Sequence, residues 1–298
     1  MNGSVRPTNS LVSVIIPCYN AVAYIAQAID SALNSGGISV EVIVVDDGST
    51  DGTWDVLEGF GDRIMRLRQV KGGPYRARNL GAGIAQGEWL AFLDADDDWL
   101  PGKLAAQLAI ADESAALIYT DRLNFGDLSR TKERQSDSVR LWDGDIFEPL
   151  LLGNFITLSS VMIRKTWFDR VGGFSVERLG VQDWDLWLRC SGVGGLCRLC
   201  RDPLTRYRIH PGQMTNDLAQ RAVDREDVLR RALSSPRGKK VSAGVTRRAY
   251  AGLWLLAAEN AASAHSALAI RYYARSIVFD PWNIRCYKGI AKCLIRRK

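Results

Sequence analysis

Leu90-Ala91-Phe92-Leu93-Asp94-Ala95-Asp96-Asp97-Asp98-Trp99 is an apolar, strand-like stretch that ends in four carboxylates within five positions. Side chains alternate along an extended chain, so Asp94 and Asp96 are expected to point the same way at the strand's end. Carboxylates held that close repel each other unless a proton or a cation sits between them. An oxygen-rich cluster with no nearby thiolate or imidazole suits Mg²⁺ or Mn²⁺, which bind one or two carboxylates together with a substrate's phosphates. On its own the same run also fits a solvated loop or a helix start, because Asp favours N-caps and Pro101 suits the opening of the next helix.

The flanking sequence repeats a strand–polar loop–helix pattern. Val12 to Ile16 is a short apolar run of the kind that forms a buried parallel strand. Pro17-Cys18-Tyr19-Asn20 follows it, then a helical stripe of Ile25, Ala28, Ile29, Ala32 and Leu33 closed by Gly36-Gly37. Val40 to Val45 is a second strand, ending in Asp46-Asp47-Gly48-Ser49. A helix around Trp54 to Phe60 and a strand around Ile64 to Val70 come next. Gly73-Pro74 starts another helix, with Ala77, Leu80, Gly81, Ile84 and Ala85 on one side. Beyond the acidic run, Lys103 to Ala111 reads as a helix and Ala116 to Thr120 as a strand. This alternation predicts an α/β fold, Rossmann-like, with a mostly parallel central sheet and helices on both faces. Ligands of such sheets bind beyond the carboxyl ends of the strands. Three polar strand ends, at Pro17 to Asn20, Asp46-Asp47 and Asp94 onward, therefore define the expected site.

From about Thr120 to Arg208 the pattern is mixed: Ile156 to Ile163 reads as a strand, Gly172-Gly173-Phe174 as a turn and Asp183 to Cys190 as a short helix. Composition turns helical and polar from about Gln213, which divides the chain into 1–211 and a helical extension, 212–298. Within the extension, Ser234 to Arg248 is basic and rich in Ser and Gly, as in a loop. Tyr250 to Ala264 and Ala267 to Phe279 read as an antiparallel helix pair closed by Asp280-Pro281, similar to one tetratricopeptide repeat.

At 298 residues, 47% hydrophobic and 24% charged, the composition is that of a globular protein. Much of the net charge of +6 is C-terminal, from Arg237 to the closing Arg296-Arg297-Lys298. A basic surface draws nucleotides, phosphates and anionic lipid alike, so its sign names no partner, and none of nucleic-acid type is expected. Leu11 to Ile16 is too short for a signal peptide and runs into Pro17, and no segment is long and uncharged enough to span a bilayer; a cytoplasmic protein is expected. Ile290, Leu294 and Ile295 share a helix face flanked by Lys288, Lys292, Arg296, Arg297 and Lys298, which fits either peripheral contact with an anionic membrane or a solvated helix end. Cys197-x-x-Cys200, with Cys190 upstream, has no second such pair and the chain has two histidines, so reduced thiols are favoured over zinc. No phosphate-binding G-x-x-x-x-G-K-[ST] occurs, and Gly81, Gly83 and Gly87 have the wrong spacing for a dinucleotide loop; they are expected to permit close packing.

Taken together, the strand-end motifs resemble the inverting family 2 glycosyltransferases of GT-A fold. The matching text is Val14 to Asn20, Val45 to Thr53, Ala77-Arg78-Asn79, Gly87 to Asp97 with Pro101, Gly172-Gly173-Phe174, and Asp183 to Arg189. These six ordered blocks cover about residues 10 to 211. The resemblance implies that Pro17, Tyr19 and Asp47 hold the base and ribose of a donor nucleotide, and that Arg78 lies near its diphosphate. Asp94 and Asp96 match the D-x-D element, with Asp96 on a Mn²⁺ or Mg²⁺ ion and Asp94 on ribose or metal. His210, in Tyr207-Arg208-Ile209-His210-Pro211, matches a metal ligand of some relatives. Asp183 matches the general base that takes the acceptor hydroxyl's proton. Gln182 stands where the family usually has Glu. Trp184, beside the base, is a candidate sugar-stacking residue, although two tryptophans three apart on a helix, Trp184 and Trp187, also fit a core. The implied partners are a nucleotide-diphosphate sugar, most often UDP-linked, and a glycan or lipid-linked acceptor of surface polysaccharide synthesis.

Three rivals remain at this point. A metal-dependent phosphohydrolase would carry its acidic pair after the first strand. A sugar nucleotidyltransferase would show a Gly-rich, Arg-containing loop where Pro17-Cys18-Tyr19-Asn20 stands. A non-catalytic nucleotide-binding protein would have no use for Asp94, Asp96 and Asp183 together.

Overall fold

The computed structural model describes residues 10–128, 132–177, 180–210, 218–262 and 265–295. Its strands are β1 (Val12–Cys18), β2 (Val40–Asp46), β3 (Met65–Arg68), β4 (Trp89–Phe92), β5 (Asp98–Trp99), β6 (Ala115–Gly126), β7 (Val161–Arg164) and β8 (Leu196–Ile209). Its helices are α1 (Ile25–Leu33), α2 (Thr53–Gly59), α3 (Pro74–Ile84), α4 (Lys103–Ala109), α5 (Phe147–Leu152) and α6 (Lys165–Arg170). There follow α7 (Gln182–Gly192), α8 (Leu218–Ser234), α9 (Ala243–Ala261), α10 (Ser266–Phe279) and α11 (Ile284–Ile295). The chain divides into two compact units, the first made of Met1–Asp145, Phe155–Val176 and Gly195–Pro211, the second of Ile146–Asn154, Glu177–Gly194 and Gly212–Lys298. The boundary expected near residue 211 is one crossing between them. The second unit also takes in the segments of α5 and α7, because α5 packs on α7 and α9 and buries Phe147, Leu150 and Leu151.

The first unit holds one eight-stranded sheet of order β3-β2-β1-β4-β7-β6-β8-β5. β1 pairs in parallel with β2 and β4, and β2 with β3, so that Val14 lies between Val42 and Ala91. β7 runs antiparallel to β4 and β6, β8 parallel to β6, and β5 antiparallel to β8. The sheet is thus mixed, parallel where the sequence alternates strand with helix. Every residue of β1 is buried, as both-face coverage by helices requires. On one face Val14, Ile16, Val42 and Val44 pack with Ile25 and Ile29 of α1, Leu57 of α2 and Leu104 of α4. The other face meets α3, where a Cβ on Gly81 would come within 2.8 Å of Ile15 Cγ2. A Cβ on Gly87 would lie 2.6 Å from Ser13 Oγ, so both glycines serve close approach.

Two sequence expectations are corrected, and one long strand carries no sequence expectation. Ile156 to Ile163 is not one strand: Leu158–Ser160 forms a 3₁₀ turn before β7. The Ser160 hydroxyl and amide both donate to the Thr157 carbonyl, at 2.7 and 3.0 Å, a local bond that competes with strand pairing. Ser234 to Arg248 is not a loop. α8 runs to Ser234, Gly238–Lys240 is a 3₁₀ turn, and Ser242 caps α9 by accepting from the Val245 amide at 3.3 Å. The 14-residue β8 went unread because its arginines hide the alternation. Two of those arginines, Arg206 and Arg208, lie over the ring of Phe125 in β6, and Arg122 of β6 lies over Tyr207 of β8, so the charge does not keep the strand in solvent.

In the second unit α9 and α10 run antiparallel: Tyr250 stacks on Phe279 at 4.9 Å, and Ser276 Oγ donates to the Ala251 carbonyl at 2.8 Å. A third helix continues the pair, with α11 seated on α10 through Cys286, Gly289 and Cys293. All six cysteines are buried free thiols, and burial pushes the Cys190 thiol up to about 12. Among the described residues no helix is long and apolar enough to cross a membrane.

Candidate active site

Hydrogen bonds between loops fix the carboxyl ends of β1 and β2. Asn20 adopts φ +49°, and its side-chain oxygen accepts from the Thr50 amide at 2.8 Å while its own amide donates to Ser49 Oγ at 2.9 Å. Asp46 is fully buried, accepts from the Ser49 amide at 3.0 Å and pairs with Arg68 Nε at 3.1 Å. Asp47 is buried beside it and accepts from the Gly72 and Gly73 amides at 2.7 and 2.8 Å and from Gln69 Nε2 at 2.6 Å. Asp47 therefore holds the loop that opens α3 at Pro74, and α3 carries Arg78. Pro17 is buried in β1, whereas Tyr19 is 40% exposed with Lys71 Nζ 3.9 Å from its ring centre.

The acidic run bends where extended alternation was expected. β4 stops at Phe92, and the Asp97 amide donates back to the Asp94 carbonyl at 3.1 Å. This turn gathers Asp94, Asp96 and Asp97, each offering a carboxylate oxygen, within 4.8 Å of one another. Asp94 is salt-bridged to the buried Arg78 through Nη2, and its amide donates to Ser159 Oγ at 3.1 Å. Asp96 Oδ2 lies 2.9 Å from His210 Nε2, at the end of β8. Asp97 accepts from Ser159 Oγ at 2.6 Å and from the Arg208 amide at 2.9 Å. Asp98 faces elsewhere, into Arg206 and Gln27. Asp97 and Ser159 were not anticipated: Asp97 falls off the alternation, and Ser159 sits in the segment read as strand.

Burial pushes the Asp94 carboxyl up, Arg78 opposes the shift and Asp96 adds to it. Asp97 is raised further, by burial first and then by Asp94 and Asp96, against the hydrogen bonds from Ser159 and Arg208. Like charges crowded in this way are relieved by a proton or a cation. The donors are hard oxygens with one imidazole at the edge, a set that fits Mg²⁺ or Mn²⁺. Arg78 adds a fixed cation: its Nε and Nη1 are buried with no hydrogen-bond acceptor among the described residues, leaving donors for an anion such as a diphosphate.

Asp183 belongs to the second unit, in the first turn of α7. It is not an N-cap, since Val181 occupies that position. Asn154 Nδ2 donates to Asp183 Oδ2 at 2.9 Å. Gln182 turns back instead, its Oε1 accepting from the Gly180 and Val181 amides at 2.7 and 3.0 Å. Arg225 of α8 is depressed by burial and by Arg221, with Asp183 opposing, so the carboxylate has a cationic neighbour. Trp184 corrects the sequence reading. It is 4% exposed and its indole N–H donates to the Leu150 carbonyl at 2.8 Å, so it has no open ring face for a sugar. Like the fully buried Trp187, it is core.

Residues 13–175 match the model of Glycosyl transferase family 2. An uncharacterized glycosyltransferase of Rickettsia prowazekii is 31% identical over 225 residues, spanning 73% of this chain and 70% of that protein. The UDP-Glc:alpha-D-GlcNAc-diphosphoundecaprenol beta-1,3-glucosyltransferase WfaP of Escherichia coli is 27% identical over 74% of this chain and 86% of its own. Among solved structures, S. aureus TarS in complex with UDP-GlcNAc superposes with a TM-score of 0.59 at 18% identity, covering 93% of this chain and 90% of that one. The mannosyltransferase of Pyrobaculum calidifontis in complex with GDP-Man and Mn2+ also gives 0.59, at 19% identity over 96% and 86%. These two structures share the GT-A fold with this chain.

Proposed function

Because this chain belongs to glycosyl transferase family 2, we propose that it moves a sugar, with inversion, from a nucleotide-diphosphate sugar to a hydroxyl of a glycan or lipid-linked acceptor. The observation that carries this reading is the group of Asp94, Asp96 and Asp97 at the carboxyl edge of the sheet, with the buried Arg78 against Asp94. Asp96, Asp94 and His210 would hold Mn²⁺ or Mg²⁺, and Asp97 lies close enough to join them. The ion, when bound, supplies Lewis-acid charge to a departing diphosphate. Arg78 adds a second positive charge for the same oxygens. Pro17, Tyr19 and Asp47 would seat the base and ribose, Tyr19 through its exposed ring and Asp47 through the acceptor capacity left on Oδ2 beyond the Gly73 amide. The bond from the anomeric carbon to the diphosphate breaks as the acceptor oxygen attacks from the opposite side, and Asp183 takes the hydroxyl proton. A UDP-linked donor and a lipid-linked acceptor of polysaccharide synthesis are favoured by WfaP, whose name gives both a UDP-sugar and a diphosphoundecaprenol.

A panel of nucleoside diphosphates in thermal-shift measurements tests the reading. UDP should raise the melting temperature, more so with Mn²⁺, and at a saturation of 100 Kd the gain corresponds to about 2.7 kcal/mol. A protein stabilised by no nucleoside diphosphate with either ion would not be a nucleotide-sugar enzyme. Stabilisation by nucleoside triphosphates and sugar phosphates alone would favour a nucleotidyltransferase.

A further inference from the structure

We propose that the outer side of α11, with the turn at Trp282, is a docking face for an anionic lipid bilayer. α11 buries Cys286, Gly289 and Cys293 against α10. On its other side Ile284, Tyr287, Leu294 and Ile295 are 63%, 48%, 53% and 73% exposed. With Ala291 they recur at intervals that place them in one stripe along the helix. Trp282, at the entry to the helix, is 92% exposed, and Val278 near the end of α10 is also exposed. The entry turn is tied to the helix, since Tyr287 Oη donates to the Pro281 carbonyl at 2.8 Å. The sequence reading put Ile290 on this face. It is half-buried instead, and Ile284, Tyr287 and Trp282 complete the stripe; Arg296, Arg297 and Lys298 lie outside the described residues.

Charge selects the occupant. Residues 266–298 contain eight Lys or Arg and one Asp, so this stretch alone exceeds the whole chain's net charge of +6. The exposed Lys288 and Lys292 border the apolar stripe along one edge, and Arg285 beside them pairs with Glu259 at 2.7 Å. Two copies joined through the stripe would bring like charges together. Anionic headgroups would instead meet the lysines while the aliphatic side chains enter the headgroup boundary and the indole settles at the interface. The face would keep the enzyme beside a membrane-held acceptor, yet its binding is measurable without any transfer, so its failure and failure of the transfer reading are separate results.

The experiment is flotation of the full chain with vesicles of phosphatidylcholine alone or with about a third phosphatidylglycerol. The protein should float with the anionic vesicles and not with the neutral ones. Lys288→Gln with Lys292→Gln should weaken vesicle affinity by roughly thirtyfold, and Trp282→Ala with Ile284→Ser by roughly tenfold or more. These side chains are exposed, so circular dichroism and melting should stay at wild-type values. Equal partition onto both vesicle types, no partition, or wild-type binding by both variants would overturn the proposal. A dimer in light scattering that the variants convert to monomer, without vesicle binding, would assign the face to a second copy and overturn it equally.

Discussion

Replacing Asp183 by Asn should lower turnover by roughly 10²–10⁴-fold while leaving donor affinity nearly unchanged. The amide keeps the size and the hydrogen-bonding reach of the carboxylate, so Asn154 retains a partner at that position. What it loses is basicity. An acceptor hydroxyl is a weak nucleophile at neutral pH, and attack on the anomeric carbon requires its proton to leave. Asp94 and Asp97 cannot serve as that base: Asp94 is committed to Arg78, and both oxygens of Asp97 accept from Ser159 and Arg208. A kcat loss with an unchanged KM for donor is the signature of a group needed in the transition state and not in binding. Near-normal turnover in steady-state assays would remove Asp183 from the mechanism.

Asp96→Ala should abolish the gain in UDP affinity that Mn²⁺ gives the wild type, as read by isothermal titration calorimetry with and without the ion. Asp96 is the carboxylate of the three that is bonded to His210, so its removal takes away both an oxygen donor and the anchor of the imidazole. The same change should leave stability in EDTA equal to or above that of the wild type. Asp96 raises the carboxyls of Asp94 and Asp97 by repulsion, and its removal relieves the folded state of that repulsion. A variant that binds UDP as tightly with Mn²⁺ as the wild type would place the ion elsewhere. A variant that melts earlier in EDTA would show that Asp96 is structural.

How much of this was legible depends on whether local pattern or distant contact decides each feature. The parallel strands β1, β2 and β4 were readable because each is a short apolar run ending in polar residues, and buried parallel strands leave that trace. The motif at the end of β4 singles out Asp94 and Asp96 and the resemblance adds Arg78 of α3, and the structure brings Arg78 against Asp94. The geometry of the acidic run did not follow: alternation paired Asp94 with Asp96, whereas the turn closed by the Asp97 amide added Asp97 and turned Asp98 to Arg206. Ser159, which ties Asp94 to Asp97, comes from more than 60 positions away and carries no local signal. Trp184 was ambiguous for the same reason, since the carbonyl that satisfies its indole belongs to Leu150 in another helix. β8 was hidden by arginines whose charge suggested solvent and whose rings of contact, Tyr24 and Phe125, lie on other segments. The serine-rich, basic stretch after Ser234 shows the converse error: Ser242 looked like loop composition and is a helix cap.

The most direct measurement is the anomeric configuration of the product formed from an α-linked UDP-sugar and a polyprenyl-diphosphate-linked sugar acceptor with Mn²⁺, read from the anomeric proton in NMR. A single in-line displacement with Asp183 as base predicts a β-linked product, and none in the Asp183→Asn protein beyond the residual rate given above. An α-linked product would contradict the inverting displacement on which the account rests.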